Sequence, residues 1–345
     1  MDDSSLASRR WLHRYLCFTA ATTLLLICSG GMVTSKGVGL AVPDWPTTFG
    51  YNMFLFPVSK WVGGIFFEHT HRLVASTVGF LTVILTIWLW RVEPRKWVRW
   101  LGVAALGAVI LQGVLGGLRV TLLKDQIGVF HACLAQAFFG LLVLLTLVTS
   151  TTWARTDRSL SHSVLPWMGA LATLAIYCQL GLGATMRHQH RDLAILDFPT
   201  AYGQWLPDTS AAALVRINEA RDAAALSDVS AGQVWLQMTH RMMAILIVVG
   251  VVAFWLRVRA ERLEGASLRA ISNLWVILLA TQVTLGAWTV WSNKAADVAT
   301  AHVATGALML AVGVSVSALS SRSRRVSVRE TTGMPEMAAT GMRAF

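Results

Sequence analysis

Residues 127–149 read IGVFHACLAQAFFGLLVLLTLVT, an apolar run that contains no Asp, Glu, Lys or Arg. An α-helix needs about 20 mostly apolar residues to cross the hydrocarbon core of a bilayer. The run is long enough for this, and it carries a single histidine, His131. It therefore predicts a membrane-spanning helix that places one imidazole inside the membrane.

Seven further apolar runs of similar length lie along the chain, so the sequence predicts an all-α integral membrane protein with eight transmembrane helices. The eight predicted spans cover residues 15–34, 69–90, 98–119, 127–149, 164–186, 236–256, 270–290 and 298–319. The composition agrees with this class, because 14% of the residues are charged, whereas a soluble protein carries about 25%.

The basic residues predict the orientation of the spans. Of the 29 Lys and Arg residues, 18 fall at the two termini and in the loops after the second, fourth and sixth spans. Cytoplasmic loops carry an excess of Lys and Arg, so we expect both termini in the cytoplasm. The net charge of +11 is then a topology signal and not a sign of nucleic-acid binding. We expect a multi-pass protein of a bacterial-type inner cell membrane, with lipid as its surroundings.

Motifs in the first half of the chain recur in the second. GLAVPDWPTTFG at 39–50 recurs as DLAILDFPTAYG at 192–203, an offset of 153 residues. THR at 70–72 recurs at 239–241, an offset of 169, which indicates an insertion of about 16 residues in the second outer loop. Gly30-Gly31 recurs as Gly183-Ala184, and Gln112-x-x-Leu115-Gly116 recurs at 282–286. Matches in constant order predict duplication of a four-helix unit.

The duplication predicts two four-helix bundles with short cytoplasmic connections. The expected parts are a cytoplasmic segment at 1–14, a first bundle at 15–150, a linker at 151–163, a second bundle at 164–320 with a long outer loop at 187–235, and a disordered cytoplasmic tail at 321–345. Membrane proteins often place binding sites between or within such repeated units.

Four of the nine histidines obey the repeat, namely His71, His131, His240 and His302. Each lies near the start of an even-numbered span, so each half places two imidazoles at one membrane depth. An ionisable side chain inside the membrane is expensive and indicates function by default. Two facing neutral imidazoles suit the axial positions of heme iron, whereas zinc needs about four ligands. We therefore predict one heme in each half; His69, His188 and His190 receive no assigned role.

The repeat is broken at one position beside these histidines. The first half reads EHTHR at 68–72 and the second reads QMTHR at 237–241, so Glu68 corresponds to Gln237. Residues three apart share a helix face, which places Glu68 near whatever His71 binds. A carboxylate there can move protons, which predicts a reactive first site and an electron-transferring second site. The alternative is an acid that complements the N-terminal helix dipole.

An arginine directly follows the repeated histidine in both halves, at THR 70–72 and THR 239–241. Arg72 and Arg241 lie on the predicted outer side, where basic residues are less favoured. Heme propionates are candidate partners for both guanidinium groups. The alternative is that the side chains extend to lipid phosphates at the membrane surface.

Taken together, these residues resemble the heme A synthase family. The resemblance covers about residues 15–320 and depends on motifs that are specific only as an ordered set. They are GG at 30–31, GLAVPDWP at 39–46, EHTHR at 68–72 as the family's E-x-x-H-R, His131, THR at 239–241 and His302. Residues 35–68 contain no cysteine, so the chain is similar to the cysteine-free members, including mitochondrial ones.

The resemblance implies an enzyme that oxidises the C8 methyl group of heme O to the formyl group of heme A, which serves aa3-type terminal oxidases. It implies that the substrate heme O is bound by His71 and His131, with Glu68 as the catalytic acid. It implies a heme b cofactor on His240 and His302. Heme O synthase is an implied partner, while the electron donor or acceptor is not identified.

Two other functions remain open from the residues. A di-heme b-type cytochrome that passes electrons, for example from quinol, explains the four histidines but not the difference between Glu68 and Gln237. A heme exporter or chaperone explains an open outer site but does not need a tightly held second heme. Lipid-facing surfaces also leave room for a homo-oligomer.

Overall fold

A computed structural model describes residues 3–156, 164–189, 193–261 and 267–322, with side chains from residue 8 onward except that of residue 155. This part of the chain folds into α-helices without β-strands. The helices are α1 (Asp3–Ser35), α2 (Gly63–Val92), α3 (Lys96–Leu122), α4 (Asp125–Val148), α5 (Thr151–Arg155), α6 (Leu165–Gln189), α7 (Ala211–Ala223), α8 (Ala231–Ala260), α9 (Ser267–Trp291) and α10 (Ala296–Ser320). The predicted tail from 323 onward and His190 lie outside the described residues.

Eight of these helices are long and apolar enough to cross a membrane, which confirms the predicted all-α membrane fold. They are α1 to α4, α6 and α8 to α10, and each contains or closely matches one predicted span. Several ends have local causes. Helix α2 stops before Pro94, which cannot continue a helix. Helix α8 begins with a capping box in which Ser230 and Gln233 bond each other's backbone N–H groups.

Each half of the chain has its own apolar core. In the first half, buried leucines of α1, α2 and α4 pack together, among them Leu16, Leu85 and Leu142. In the second half, Phe254 of α8 packs edge-on against Trp275 of α9, with ring centroids 5.6 Å apart. These two clusters agree with the expected pair of bundles, whose boundaries as independent units stay a prediction.

Helices α4 and α10 lie at the centre of the molecule, where the two halves meet. Helix α1 packs against α10, and α4 packs against both α6 and α10. A small apolar cluster joins the halves there through Ile27, Phe139, Ala307 and Ala311. Because α4 carries His131 and α10 carries His302, one histidine of each pair lies on a helix at this central contact.

Two long connections lie at the same end of the bundles, one between α1 and α2 and the other between α6 and α8; we call this the loop end. Both contain a turn built on an aspartate, with an isolated bridge between Thr48 and Tyr51 in one and between Ala201 and Gln204 in the other. Helix α7 lies in the second connection only. It accounts for most of the insertion of about 16 residues that the changed offset of the repeat indicates.

Candidate functional site

In the second half, α8 and α10 bring two imidazole rings close to each other. The ring centroids of His240 and His302 lie 6.5 Å apart, and the ring planes are tilted by 56°. Two metal–nitrogen bonds of about 2 Å each, plus the half-widths of the two rings, give a separation of about 6 Å. The spacing therefore fits one metal ion between the rings, as in a heme with two axial histidines.

In the first half, α2 and α4 bring His71 and His131 within electrostatic range of each other. The oxygen of Ser29 lies 2.8 Å from Nδ1 of His71 and donates its own proton to the carbonyl of Leu26 at 2.9 Å. With the hydroxyl proton assigned to Leu26, the Ser29 oxygen accepts a hydrogen bond from Nδ1. This places the ring proton on Nδ1 and leaves Nε2 of His71 free to bind a metal.

Each of the four histidines rests against a glycine of the neighbouring helix. The shortest distance from a β-carbon built on the glycine to the ring is always to Cε1. It is 2.9 Å for Gly30 and His71, 3.2 Å for Gly116 and His131, 3.4 Å for Gly183 and His240, and 3.1 Å for Gly286 and His302. The glycines obey the repeat, as the histidines do. A β-carbon on Gly30 would force the imidazole of His71 to move, whereas on Gly116 and Gly286 it would displace the ring by a few tenths of an ångström and on Gly183 it would make ordinary contact.

We expect Gly30→Ala to weaken heme binding by roughly tenfold, the scale on which groups that orient metal ligands act. The new methyl group would sit 2.9 Å from Cε1 of His71, which is closer than van der Waals contact allows. Heme titration of the purified variant, followed by the Soret band, measures the effect. The matched control is Gly79→Ala on α2, where a β-carbon meets nothing within 4 Å. Equal binding by both variants would contradict the orienting role.

Ring nitrogens of the paired histidines are buried at both sites. Nδ1 of His131, His240 and His302 is buried without a hydrogen-bond partner. Within the described ranges, no three His, Cys, Asp or Glu side chains are grouped so that they could hold a metal ion. A ligand set of two imidazoles suits heme iron, whose porphyrin supplies the other four nitrogens, and does not suit a tetrahedral zinc ion.

Glu68 is buried, with 4% of its surface exposed, and holds the first loop against α2. Its Oε2 accepts the N–H of Val42 at 2.9 Å, and its Oε1 accepts from Arg72 at 2.8 Å. Gln237 does the same for the second loop, since it accepts the N–H of Ile195 and donates to the carbonyl of Ile195, both at 2.9 Å. The two residues therefore share an anchoring role and differ in charge.

Arg72 and Arg241 also contact the loops. Arg72 donates to the carbonyl of Asp44 at 2.7 Å and to that of Val42 at 2.9 Å. Arg241 donates to the carbonyl of Asp197 at 2.6 Å, so it anchors the second loop in the same way. Binding of heme propionates by these arginines stays a prediction, while their protein partners are loop carbonyls.

The aspartate of each loop turn organises the backbone around it. Asp44 accepts hydrogen bonds from the N–H groups of Phe49 and Gly50 and from the hydroxyl of Thr47. Burial alone would raise the pKa of the Asp44 carboxyl, but these hydrogen bonds outweigh burial and hold the pKa below its ordinary value of 3.8. Asp197 repeats the pattern in the second loop.

We expect Asp44→Asn to lower the midpoint of thermal unfolding at pH 7 by about 3 °C or more, since charge-assisted hydrogen bonds are lost. A carboxyl whose pKa is lower in the folded than in the unfolded state stabilises the fold above pH 3.8, and the contribution is lost as the pH falls through the folded-state pKa. The difference between wild type and variant should therefore shrink below pH 3.8. A difference that is constant with pH would contradict a role for the charge.

The two described histidines without an assigned role have different surroundings. His69 lies in the first turns of α2 and is fully buried against the first loop, with its ring centroid 5.0 Å from that of Phe56 and 4.8 Å from that of Trp61. It is a packing residue, and its repeat counterpart is the buried Met238. His188 lies against Gly128, one turn before His131, where a β-carbon on the glycine would be 2.7 Å from its Nδ1.

Sequence reasoning missed two arginines near the sites. Arg119 is close enough to His71 and His131 to act on both electrostatically, and Arg187 acts in the same way on His302. The sequence could have pointed to them, because each is a basic residue inside an apolar helix. Arg119 lies about one turn after Gly116, and Arg187 lies about one turn after Gly183.

Comparison with known proteins finds related sequences over most of the chain. Residues 13–314 match the COX15-CtaA family, described as cytochrome oxidase assembly protein. The heme A synthase of Shouchella clausii is 32% identical over 57% of this chain, and the match spans 66% of that relative's length. The heme A synthases of Geobacillus kaustophilus and Caulobacter vibrioides are 26% and 27% identical, over 90% and 86% of this chain and 93% and 92% of their own lengths.

Proposed function

Because this chain belongs to the COX15-CtaA family of cytochrome oxidase assembly proteins, we propose that it is a membrane enzyme that oxidises heme O to heme A. The reaction converts the C8 methyl group of the porphyrin to a formyl group. The observation that carries the proposal is the close pair of imidazoles of His240 and His302, which His71 and His131 repeat within electrostatic range of each other in the first half. A carboxylate precedes the first of these histidines by three residues in one half, and an amide does so in the other. The relatives named heme A synthase support the same activity.

The two halves divide the work. His71 and His131 bind the iron of the substrate heme O, and His240 and His302 bind the iron of a heme b cofactor. A bound heme b supplies one-electron redox chemistry close to the substrate. The support is the spacing of the second pair of rings and the glycine behind each of the four histidines.

Glu68 handles protons in the first half. Oxidation of a methyl to a formyl group releases protons as well as electrons, and a carboxylate one turn from His71 can accept them. Arg72 holds Oε1 of Glu68 at 2.8 Å and so fixes the orientation of the carboxylate. Gln237 cannot take up a proton in this way, which leaves the second half as the electron-transferring site.

The membrane orientation follows from the positive-inside rule. Both termini face the cytoplasm of a bacterial-type inner membrane, and the loop end with its heme sites faces outward. The protein receives heme O from heme O synthase through the lipid phase and supplies heme A to aa3-type oxidases.

The test is extraction of pigments from membranes that contain both the protein and a source of heme O. Heme A in the extract supports the synthase. If the extract contains heme O and heme B but no heme A, and the bound heme is reduced rapidly by quinol, the chain is a di-heme cytochrome instead. The family match and the names of the relatives do not favour that alternative.

A further inference from the structure

Three basic side chains gather near the loop end, between the two heme sites; we call them the basic cluster, and they are Arg119, Arg187 and His188. Arg119 and Arg187 both lie within electrostatic range of His188. The guanidinium of Arg119 lies against Gly39 of the first loop, 3.1 Å from a β-carbon built on that glycine. Arg119 follows Gly116 by three residues and Arg187 follows Gly183 by four. Each arginine is thus about one helical turn beyond a glycine that backs a histidine, on the side of the loop end.

No carboxylate of the described residues neutralises this cluster. The ion pairs in this part of the chain are those of Arg72, Arg95 and Arg257, each with a glutamate. Arg119 lies within electrostatic range of Glu68 and Asp125 but forms no ion pair with either carboxylate. The three side chains are half-buried, and a cation that is partly removed from water without a counter-ion is unfavourable. The cluster therefore calls for an anion from outside the described chain.

Arg187 donates hydrogen bonds to neutral groups of the first half, so it connects the two halves of the chain. It donates to the carbonyl of Gly31 at 2.8 Å and to the hydroxyl of Ser35 at 2.7 Å. Both acceptors lie on α1, which also carries Gly30 behind His71. Arg187 of the second half therefore contacts α1 of the first half, one residue from the glycine that backs His71.

Resting on the proposed function, we propose that Arg119, assisted by His188 and Arg187, binds a carboxylate of the porphyrin held by His71 and His131. The guanidinium group matches a carboxylate in charge and geometry. Arg72, the other arginine near this site, already donates to three loop carbonyls and to Glu68. His188 lies against Gly128 of α4, one turn before His131, and Arg119 lies against Gly39 of the first loop. Both positions border the first site, which favours a bound porphyrin as the source of the carboxylate.

Hemin and its dimethyl ester test the proposal, because the ester keeps the iron and the ring but has no carboxylates. Protein purified in detergent from cells that cannot make heme is titrated with each probe and followed by the Soret band. One of the two sites per chain should prefer the free acid by about tenfold or more, the worth of a charge-assisted hydrogen bond. In Arg119→Gln this preference should disappear while ester binding changes less than about threefold, and Arg119→Lys should retain part of it.

The control variant is Arg72→Gln, which removes a loop anchor and should weaken acid and ester equally. If Arg72→Gln abolishes the preference and Arg119→Gln does not, the proposal is overturned and the carboxylate belongs to Arg72. If wild type binds acid and ester alike, the cluster does not bind porphyrin carboxylates, although heme binding and the proposed function stand. If wild type binds neither probe and its membranes contain no heme A, both proposals fail.

Discussion

Glu68→Gln is expected to lower the rate of heme A formation by about 100-fold or more, the usual loss when a group that transfers protons is removed. The substitution changes charge with little change in shape. The second half shows that an amide can hold such a loop, since Gln237 bonds both the N–H and the carbonyl of Ile195. The fold and heme binding should therefore survive, and the loss should fall on the chemical step. Chromatography of extracted pigments, set against the bound heme measured by absorbance, separates the two effects.

The matched control for this variant is Glu93→Gln. Glu93 is also buried and ion-paired, with Arg95 at 2.6 Å, but it lies at the opposite end of α2 from His71. It should keep full activity. An undiminished yield of heme A in Glu68→Gln would reduce Glu68 to a loop anchor. Loss of heme binding together with activity would make its role structural, with no separate part in catalysis.

His240→Ala and His302→Ala are each expected to remove the heme b of the second half. Either change deletes one of two facing imidazoles and leaves a cavity beside a single remaining ligand. Loss of groups that merely orient a ligand lowers metal affinity by about 10- to 100-fold, so loss of the ligand itself should exceed that range. Purified variants should show one heme fewer per chain by pyridine hemochrome analysis. Heme A formation should stop as well, because the redox partner of the substrate is absent.

The control for the histidine variants is His69→Met. His69 is fully buried and lies two residues before His71, yet it packs against the loop, and the second half has Met238 at the same position of the repeat. The His69→Met variant should therefore bind as much heme per chain as the wild type. Normal spectra in both His240→Ala and His302→Ala would refute the assignment of the second pair. Loss of heme in His69→Met would show that the response to substitution is not specific to the facing pair.

The anchoring contacts of Glu68 bear on how these results are interpreted. The carboxylate of Glu68, which we propose to transfer protons, also accepts a hydrogen bond from the N–H of Val42 and forms an ion pair with Arg72. A general disruption such as Glu68→Ala would remove both functions at once, since the loop N–H and the guanidinium would lose their acceptor. Only the isosteric amide separates chemistry from anchoring, and the duplicated half of the chain supplies that comparison.

The sequence by itself determined the membrane class, the eight spans and the internal repeat. These depend on local properties, namely the length of apolar runs and the constant offset between motifs, and neither needs knowledge of which segments touch. The same offsets selected His71, His131, His240 and His302 as pairs. The opposed geometry of His240 and His302 could be expected because both lie near the same end of their helices.

The tertiary structure decided which residues surround those histidines. Sequence spacing does not show that Gly30 lies behind His71 or that Glu68 bonds Val42, because these contacts join segments separated by a loop of unknown path. It also does not show that His69 packs against Phe56 and Trp61 of the first loop. Arg119 and Arg187 each follow a glycine by one turn, but only the packing of α3 and α6 against α4 brings their charges together. Side-chain contacts between distant helices arise from packing, and packing is a property of the whole fold.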